Sequence, residues 1–197
     1  MPHDRVLTKQ QHQTCPRLLF LEFRLACRHC NRLCASGFSN TGIISASGGG
    51  LCGLSSHNLS EMRELLGMPR RVIAARQCGS FLTALFEYES FTVTFETGID
   101  HNRRFDAHIQ VYGETKEIRV QYDTPYIRHL PTQLFLTETQ GEVLEERVIR
   151  PTFTDPYTLE LLHFYEVVTH NVQPKTSAED FLYDLDLFDM IMHALRQ

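Results

Sequence analysis

The sequence predicts an α+β fold, in which a largely antiparallel open sheet carries its helices on one face. Apolar and polar residues alternate at period two in several segments between residues 70 and 150. Two amphipathic helices with capping signals close the chain. The predicted order of elements is one helix, then many strands, then two helices. This order is typical of a helix-covered sheet rather than of interleaved βαβ units.

A first short helix is predicted at about residues 58–67, directly after the glycine run Gly48–Gly50. Asn58 is the expected N-cap, with Glu61 three residues later, and Gly67 is expected to end the helix. Its spacing of apolar residues predicts one buried face. The residues expected on that face are Leu59, Met62, Leu65 and Leu66.

Strand-like segments rich in β-branched and aromatic residues follow this helix. The turn signal Thr139–Glu142 separates the last two and predicts a hairpin. Together the segments predict about five to seven strands. They are Arg71–Arg76, Phe81–Gly98, Arg104–Gly113, Lys116–Asp123, Gln133–Thr139 and Glu142–Arg150.

The two closing helices are expected at residues 155–171 and 177–196, packed on one face of the sheet. Asp155 is the predicted N-cap of the first, with Pro156 at its first position. Ser177 and Asp180 form a capping-box-like pair at the start of the second. The predicted buried stripes are Leu161, Phe164, Tyr165 and Val168, then Phe181, Leu185, Phe188, Met192 and Leu195. The acidic set Asp180, Asp184, Asp186 and Asp189 is expected to form a solvated face.

Helices on one face only leave the other face of the sheet uncovered. We expect a homodimer through that open face, because an uncovered apolar surface marks an association site. The aromatic residues expected to lie there are Phe86, Tyr88 and Tyr112.

Composition excludes several classes of function. The 197 residues carry a net charge of -5, with an isoelectric point near 6.0, so no basic surface for nucleic acid is indicated. No apolar run reaches the roughly 18 residues that span a bilayer, and the N-terminus lacks a secretory signal. A cytoplasmic protein is expected, although the arginines near the N-terminus are also compatible with a mitochondrial transit peptide.

The first 46 residues differ from the rest in character. Their apolar residues have no sustained period, and a Ser/Gly-rich exit follows, so we expect a poorly packed segment 1–46 and a domain at 47–197. Cys27, Cys30 and Cys34, with Cys15 and His29 nearby, could supply four zinc ligands. The set lacks a second properly spaced pair, so reduced thiols without metal are the expectation.

Two groups of residues are candidates for chemistry. His57 lies where a helix begins, and the positive end of the helix dipole favours the neutral imidazole that a general base needs; packing at a helix start is the alternative. A second group, Tyr122, Asp123, Tyr126 and Arg128, could bind sugar hydroxyls or simply form a turn fixed by prolines. The glycine run lacks the G-x-G-x-x-G spacing, so no cofactor-binding residues are predicted.

Ser47–Pro69, taken with Phe95–Gly113, Tyr122–Pro131 and the final helix pair, resembles the C-terminal domain of the Gfo/Idh/MocA oxidoreductases. The resemblance is strongest to the fungal branch that includes galactose-pathway repressor homologues. It implies NAD(P)-dependent oxidation of sugars, inositols or dihydrodiols, with the cofactor held by an N-terminal Rossmann domain. It also implies a substrate-binding, dimerising C-terminal domain, in which His57 matches the histidine of the family's D-x-x-x-H motif, near the substrate hydroxyl.

The chain departs from the family pattern in three ways. Gly53 stands where the motif has its aspartate, no E-K-P sequence occurs, and residues 1–46 are too few for a Rossmann domain. We therefore expect a truncated member, inactive in isolation, that binds no cofactor itself, while full-length relatives bind NAD or NADP. Its ligand is expected to be a small sugar or polyol. The alternative is a non-enzymatic ligand-sensing or partner-binding regulator, related to the repressors.

Overall fold

The computed structural model describes residues 19–26, 55–99, 105–124, 126–127, 129–130, 132–150 and 154–197. No helix in these residues is long and apolar enough to cross a membrane. The helices are α1 (Ser56–Leu66), α2 (Pro156–His170) and α3 (Ala178–Ala194). The strands are β1 (Leu19–Ala26), β2 (Arg71–Cys78), β3 (Phe81–Glu87), β4 (Phe91–Gly98), β5 (Asp106–Tyr112), β6 (Lys116–Tyr122), β7 (Gln133–Gln140) and β8 (Val143–Ile149).

All eight strands form one sheet, in the order β2-β3-β4-β1-β5-β6-β7-β8. Every pair is antiparallel except β1 with β4, so the predicted fold class is confirmed. Seven of the strands lie between residues 70 and 150, at the upper end of the expected number.

Strand β1 corrects the expectation that the N-terminal segment packs poorly. Its backbone pairs with β4 on one side and β5 on the other, at the centre of the sheet. Its sequence does alternate, since Leu21, Phe23 and Leu25 are apolar while Glu22 and Arg24 between them are polar. This period of two suits a strand with one face toward the core. The rest of segment 1–46, including Cys27, Cys30 and Cys34, lies outside the described residues, and the domain boundary at residue 46 stays a prediction.

Two of the hairpins turn on glycines with a left-handed backbone. Gly79 between β2 and β3 has φ 59°, and Gly141 between β7 and β8 has φ 63°. Only glycine adopts this conformation at low cost, which is why both turns carry it. The hairpin predicted from Thr139–Glu142 is therefore confirmed.

Helices α1 and α3 cover one face of the sheet at its β2–β5 side. Their apolar residues interlock with alternate residues of the strands, as the period of two requires. This corrects the placement of Phe86 and Tyr88 on an open face, because both are buried under the helices. The buried cluster comprises Leu59, Met62, Leu82, Ala84, Phe86, Tyr88, Val93, Phe95, Ile109, Leu187, Phe188 and Ile191.

The opposite face of the sheet carries both polar and apolar side chains. Alternation puts Thr94 of β4, His108 and Gln110 of β5 and Arg119 of β6 on that side. Gln110 donates a hydrogen bond to Glu117, one of several polar contacts there. The same alternation puts Tyr112 on this face, as expected, together with Leu85 and Phe135. The homodimer through the open face stays a prediction.

Helix α1 begins earlier than predicted. Its first residue is Ser56 and its N-cap is the buried Ser55, whose hydroxyl contacts the Thr97 hydroxyl at 2.7 Å instead of capping the helix. Asn58 is consequently not the cap but a buried residue of the first turn. Leu59 and Met62 face the core as expected, whereas Leu65 is 64% exposed.

The predicted caps of the last two helices are confirmed. The Asp155 carboxylate accepts the Thr158 N–H at 3.0 Å, and the Ser177 hydroxyl accepts the Asp180 N–H at 3.1 Å.

The predicted packing of α2 is wrong, because none of its residues is buried. In α3 the buried face is shifted from the predicted stripe: Phe181 and Leu185 are exposed, and the buried positions are Asp184, Leu187, Phe188 and Ile191.

Asp184 joins α3 to α1, which corrects the expectation of a solvated acidic face. Its side chain is 1% exposed and accepts hydrogen bonds from the Ser60 hydroxyl and from Nε of Arg63, the latter at 2.7 Å. Arg63 Nη1 also contacts Asp180 at 2.9 Å, and this holds the pKa of the Asp180 carboxyl below its usual range. Two side chains of α1 thus satisfy one buried charge on α3.

Replacing Arg63 is expected to destabilise the fold strongly. Arg63→Ala leaves the Asp184 carboxylate buried without its cation, and such a loss costs about 3 kcal/mol of unfolding free energy. Urea unfolding monitored by circular dichroism measures the change.

Arg71→Ala is the matched control, because the Arg71–Glu87 ion pair lies on the surface, with Arg71 70% exposed. That variant is expected to lose less than about 1 kcal/mol. Equal losses in the two variants would contradict the assigned role of the α1–α3 ion pair.

Candidate active site

His57 lies in the first turn of α1, where its side chain is exposed. The helix begins because the Leu59 N–H donates to the Ser55 carbonyl at 3.0 Å, and it ends at Gly67 with φ 77°. Burial of Leu59 and Met62 fixes the rotation of α1 on the sheet. The imidazole is consequently held at the rim of the helix-covered face, open to a ligand from solvent.

Glu61 follows His57 by one helical turn, so the two side chains lie on the same face of α1. The Tyr122 hydroxyl, at the end of β6, interacts with the Glu61 carboxylate, and each group shifts the pKa of the other. Tyr122 itself packs against the core cluster. The helix and the sheet therefore meet at a carboxylate–phenol pair next to His57.

Opposing effects act on the pKa of Glu61. Burial of its carboxylate raises that pKa above its usual range, although part of the side chain remains exposed. The Tyr122 hydrogen bond and the charge of His57 act in the opposite direction. Burial also raises the pKa of Tyr122, reinforced by the charge and the hydrogen bond of Glu61, so the phenol stays protonated and remains a donor.

Lys175 and Glu64 border this group. Lys175 Nζ lies 3.0 Å from Glu64 Oε1, one turn of α1 from Glu61. The charge of Lys175 lowers the pKa of Glu61 and that of Glu64 raises it, each less than burial does. Lys175 belongs to the segment between α2 and α3, so three parts of the chain converge beside His57.

The predicted hydroxyl-binding group is only partly brought together. Tyr122 reaches Glu61, but Asp123 is exposed and accepts the N–H of Thr124 at 2.7 Å. The ring of Tyr126 lies 6.4 Å from that of Tyr157 at the start of α2. Arg128 lies outside the described residues.

Glu61 is the residue that sequence reasoning missed as part of a site. Its spacing from Asn58 matched a capping box, which gave it a purely local role. The signal that could have identified it is the four-residue spacing from His57, which places two polar side chains on one helix face.

The described residues include no metal-binding group, and the capped N-termini of α2 and α3 do not suit a dinucleotide pyrophosphate, whereas the first turn of α1 has no side-chain cap. They contain no group of three His, Cys, Asp or Glu side chains that could hold a metal ion. A dinucleotide pyrophosphate needs free N–H groups at a helix N-terminus. The first turns of α2 and α3 are instead capped by Asp155 and Ser177, and α3 adds the acidic Glu179 and Asp180.

Loss of the Tyr122 hydroxyl is expected to raise the pKa of Glu61 further. Tyr122→Phe removes a hydrogen bond that favours the charged carboxylate, while the ring still excludes water. A carbon-13 NMR pH titration of the Glu61 carboxyl measures the shift. Tyr126→Phe is the control, since its hydroxyl contacts Tyr157 instead; an unchanged or lower Glu61 pKa in Tyr122→Phe would refute the pairing.

No protein-family model and no curated protein matches the sequence. Solved structures do match the fold. One is a protein classed as an NADPH-dependent oxidoreductase from Desulfitobacterium hafniense, with a TM-score of 0.71 and 17% identity over 91% of this chain and 55% of that one.

Two further structures show the same relation. A 3-ketoreductase from Actinomadura kijaniata, solved with TDP-benzene and NADP, has a TM-score of 0.62 and 15% identity over 90% of this chain and 52% of its own. An aldose-aldose oxidoreductase from Caulobacter crescentus, solved with glycerol, has a TM-score of 0.64 and 15% identity over 92% and 54%. This chain thus spans about half the length of the proteins it matches, and its fold is that of the C-terminal domain of Gfo/Idh/MocA-type oxidoreductases.

Proposed function

We propose that this chain is the substrate-binding half of an NAD(P)-dependent oxidoreductase that acts on sugars, polyols or dihydrodiols. The observation that supports this most directly is the Glu61–Tyr122 pair beside an exposed His57, at the rim of the helix-covered face. Such a group offers hydroxyl ligands an acceptor, a donor and a proton-transfer residue. The fold it sits on is shared with oxidoreductases that were solved with NADP or with glycerol.

In the proposed reaction, His57 is the base that takes the proton from a substrate hydroxyl. The substrate carbon becomes a carbonyl as its C–H bond breaks, and a nicotinamide cofactor would supply the acceptor for the hydride. Glu61 stabilises the imidazolium that forms, because an opposite charge one turn away favours it. The Tyr122 hydrogen bond keeps the Glu61 carboxylate directed at this point.

The cofactor would be held by a different domain from the one described. Hydride transfer requires the reacting atoms to lie about 3–3.5 Å apart, yet the capped N-termini of α2 and α3 offer no pyrophosphate cradle. We therefore place the chemistry at an interface between this fold and a nucleotide-binding domain.

A second candidate function is ligand sensing without catalysis, as in a regulator related to galactose-pathway repressors. Gly53 favours it, because it stands where the resembling D-x-x-x-H motif carries an aspartate. A sensor retains hydroxyl recognition by Glu61 and Tyr122 but gains nothing from proton transfer by His57.

The isolated chain is expected to bind a sugar or polyol weakly and to oxidise none. A panel of sugars, inositols and dihydrodiols is titrated into the chain by NMR, with NAD(P)H absorbance followed in parallel. His57→Ala should weaken binding of a responding ligand about tenfold, the usual loss for one charge-assisted hydrogen bond. His193→Ala, an exposed histidine at the end of α3, is the control and should leave affinity unchanged.

Either of two results would contradict the proposal that this chain is the substrate-binding half of such an enzyme. Binding that is insensitive to both His57→Ala and Glu61→Gln would place the ligand elsewhere. Turnover by the chain alone, abolished in His57→Ala, would show that the chain itself holds the cofactor.

We also propose that two copies of the chain pair through the open face of the sheet. That face carries polar side chains together with Tyr112, Leu85 and Phe135, so hydrogen bonds and apolar contacts would both contribute. Sedimentation equilibrium at micromolar concentration should show a dimer, weakened by Thr94→Glu on that face and unaffected by Glu145→Lys on exposed β8. A monomer across that concentration range would contradict the proposal.

A further inference from the structure

The two edge strands of the sheet differ in how open they are to a further strand. At one edge, α3 packs against β2, and the pairing of β2 with β3 shifts register between Val72 and Ala74. A covering helix and a register irregularity both hinder pairing between edges. At the other edge, β8 pairs with β7 in unbroken register from Val143 to Ile149, and all seven of its residues are exposed.

Strand β8 has the backbone and the side chains to bind another strand. In the part of the chain that the structure describes, no strand pairs with its outer side, so the outward N–H and C=O groups of β8 are open to a further ladder. The strand contains no proline or glycine that would interrupt such a ladder. Its large apolar side chains are 58%, 62%, 52% and 41% exposed, at Val143, Leu144, Val148 and Ile149 respectively.

The sequence of β8, VLEERVI, is complementary to a second, antiparallel copy of itself. In a pair centred on residue 146, apolar residues lie opposite apolar residues and each glutamate at 145 lies opposite an arginine. The opposed positions are Val143 with Ile149, Leu144 with Val148, and Glu145 with Arg147, and two-fold symmetry makes each pair twice. Cross-strand pairs of both kinds stabilise antiparallel sheets. Arg147 is 53% exposed and can therefore be reached by a second copy.

This register is the best matched of those that the strand allows. A slide by two residues sets Arg147 opposite Val143, or Glu145 opposite Ile149. A slide by one residue sets Glu145 opposite Val148 or Glu146, and it also places the helix-covered face of one copy beside the open face of the other. The centred register alone gives both ion pairs and keeps like faces of the two sheets on the same side.

One position opposes the pairing. Glu146 lies opposite its own copy at the centre, and like charges directly opposite each other destabilise a strand pair. One strand from each copy also contributes less area than a stable interface needs. Self-association is therefore expected at concentrations of about 100 μM and above, well beyond the micromolar range.

We propose that β8 is a self-association surface through which two copies of this chain join their sheets edge to edge, antiparallel and centred on Glu146. The surface is separate from the open face of the sheet and from His57, so it does not depend on the proposed function. An unrelated extended peptide is the less suitable occupant, because it would have to match apolar ends and a charged centre that β8 itself supplies.

Exchange of the two opposed charges tests the pairing. Glu145→Arg and Arg147→Glu each place like charges opposite each other twice, and each should weaken the high-concentration association about tenfold in sedimentation. The double variant Glu145→Arg with Arg147→Glu restores both ion pairs in reversed order and should restore the association. Glu89→Arg, in the exposed turn between β3 and β4, changes the net charge as Glu145→Arg does and should have no effect.

A measurement on the backbone locates the interface. Hydrogen exchange by NMR should show that the β8 amides not bonded to β7 gain protection as concentration rises, while the thermal midpoint of each variant stays unchanged because all the substituted residues are exposed. Glu146→Gln removes the central repulsion and should strengthen the association.

Four results would overturn the proposal. They are no association up to about 1 mM, where even weak specific pairs are detectable, single and double charge variants that behave alike, association without added protection in β8, and an unchanged or weaker association in Glu146→Gln. If the charges of β8 serve only to keep other strands away, the double variant will fail to recover what the single variants lose. Failure of the open-face dimer leaves all of these readouts intact, because they follow β8 alone.

Discussion

The buried carboxylate of Asp184 is the constraint on which the arrangement of this fold depends. It ties α3 to α1 through Ser60 and Arg63, in a position where an unpaired charge would be costly. Helix α1 also carries His57 and Glu61. The contact of Ser60 and Arg63 with Asp184, on another face of the same helix, therefore sets the position of the candidate site. Apolar packing of Leu59 and Met62 supplies most of the adhesion, while the ion pair selects one rotation of α1 against α3.

Much of the architecture could be predicted from the sequence, and the reasons are local. Three kinds of signal determine structure within a few residues of themselves. They are the alternation at period two, the glycine at the β7–β8 turn, and the side-chain caps Asp155 and Ser177. The fold class and the strand series follow from such signals. The features that could not be predicted depend on residues far apart in the sequence. Nothing near Asp184 in the sequence indicates that it would be buried and paired with Arg63 of another helix.

The candidate site shows the same division. His57 was identified from its place at a helix start, and Tyr122 from its place after a strand. Their connection through Glu61 depends on the register between α1 and β6, which no local pattern encodes. The apolar spacing of α2 predicts a buried face, whereas none of its residues is buried, because no local pattern indicates what a helix packs against.

The central position of β1 has a consequence for folding kinetics. Strands β2–β4 and β5–β8 form two runs of neighbouring hairpins, whose contacts close short loops. β1 joins these runs, and its pairing with β4 spans most of the first half of the chain. Closing so long a loop has an entropic cost that hairpin formation does not. The two meanders should therefore form early and separately, and the rate of reaching the native sheet should be set by the insertion of one strand between them.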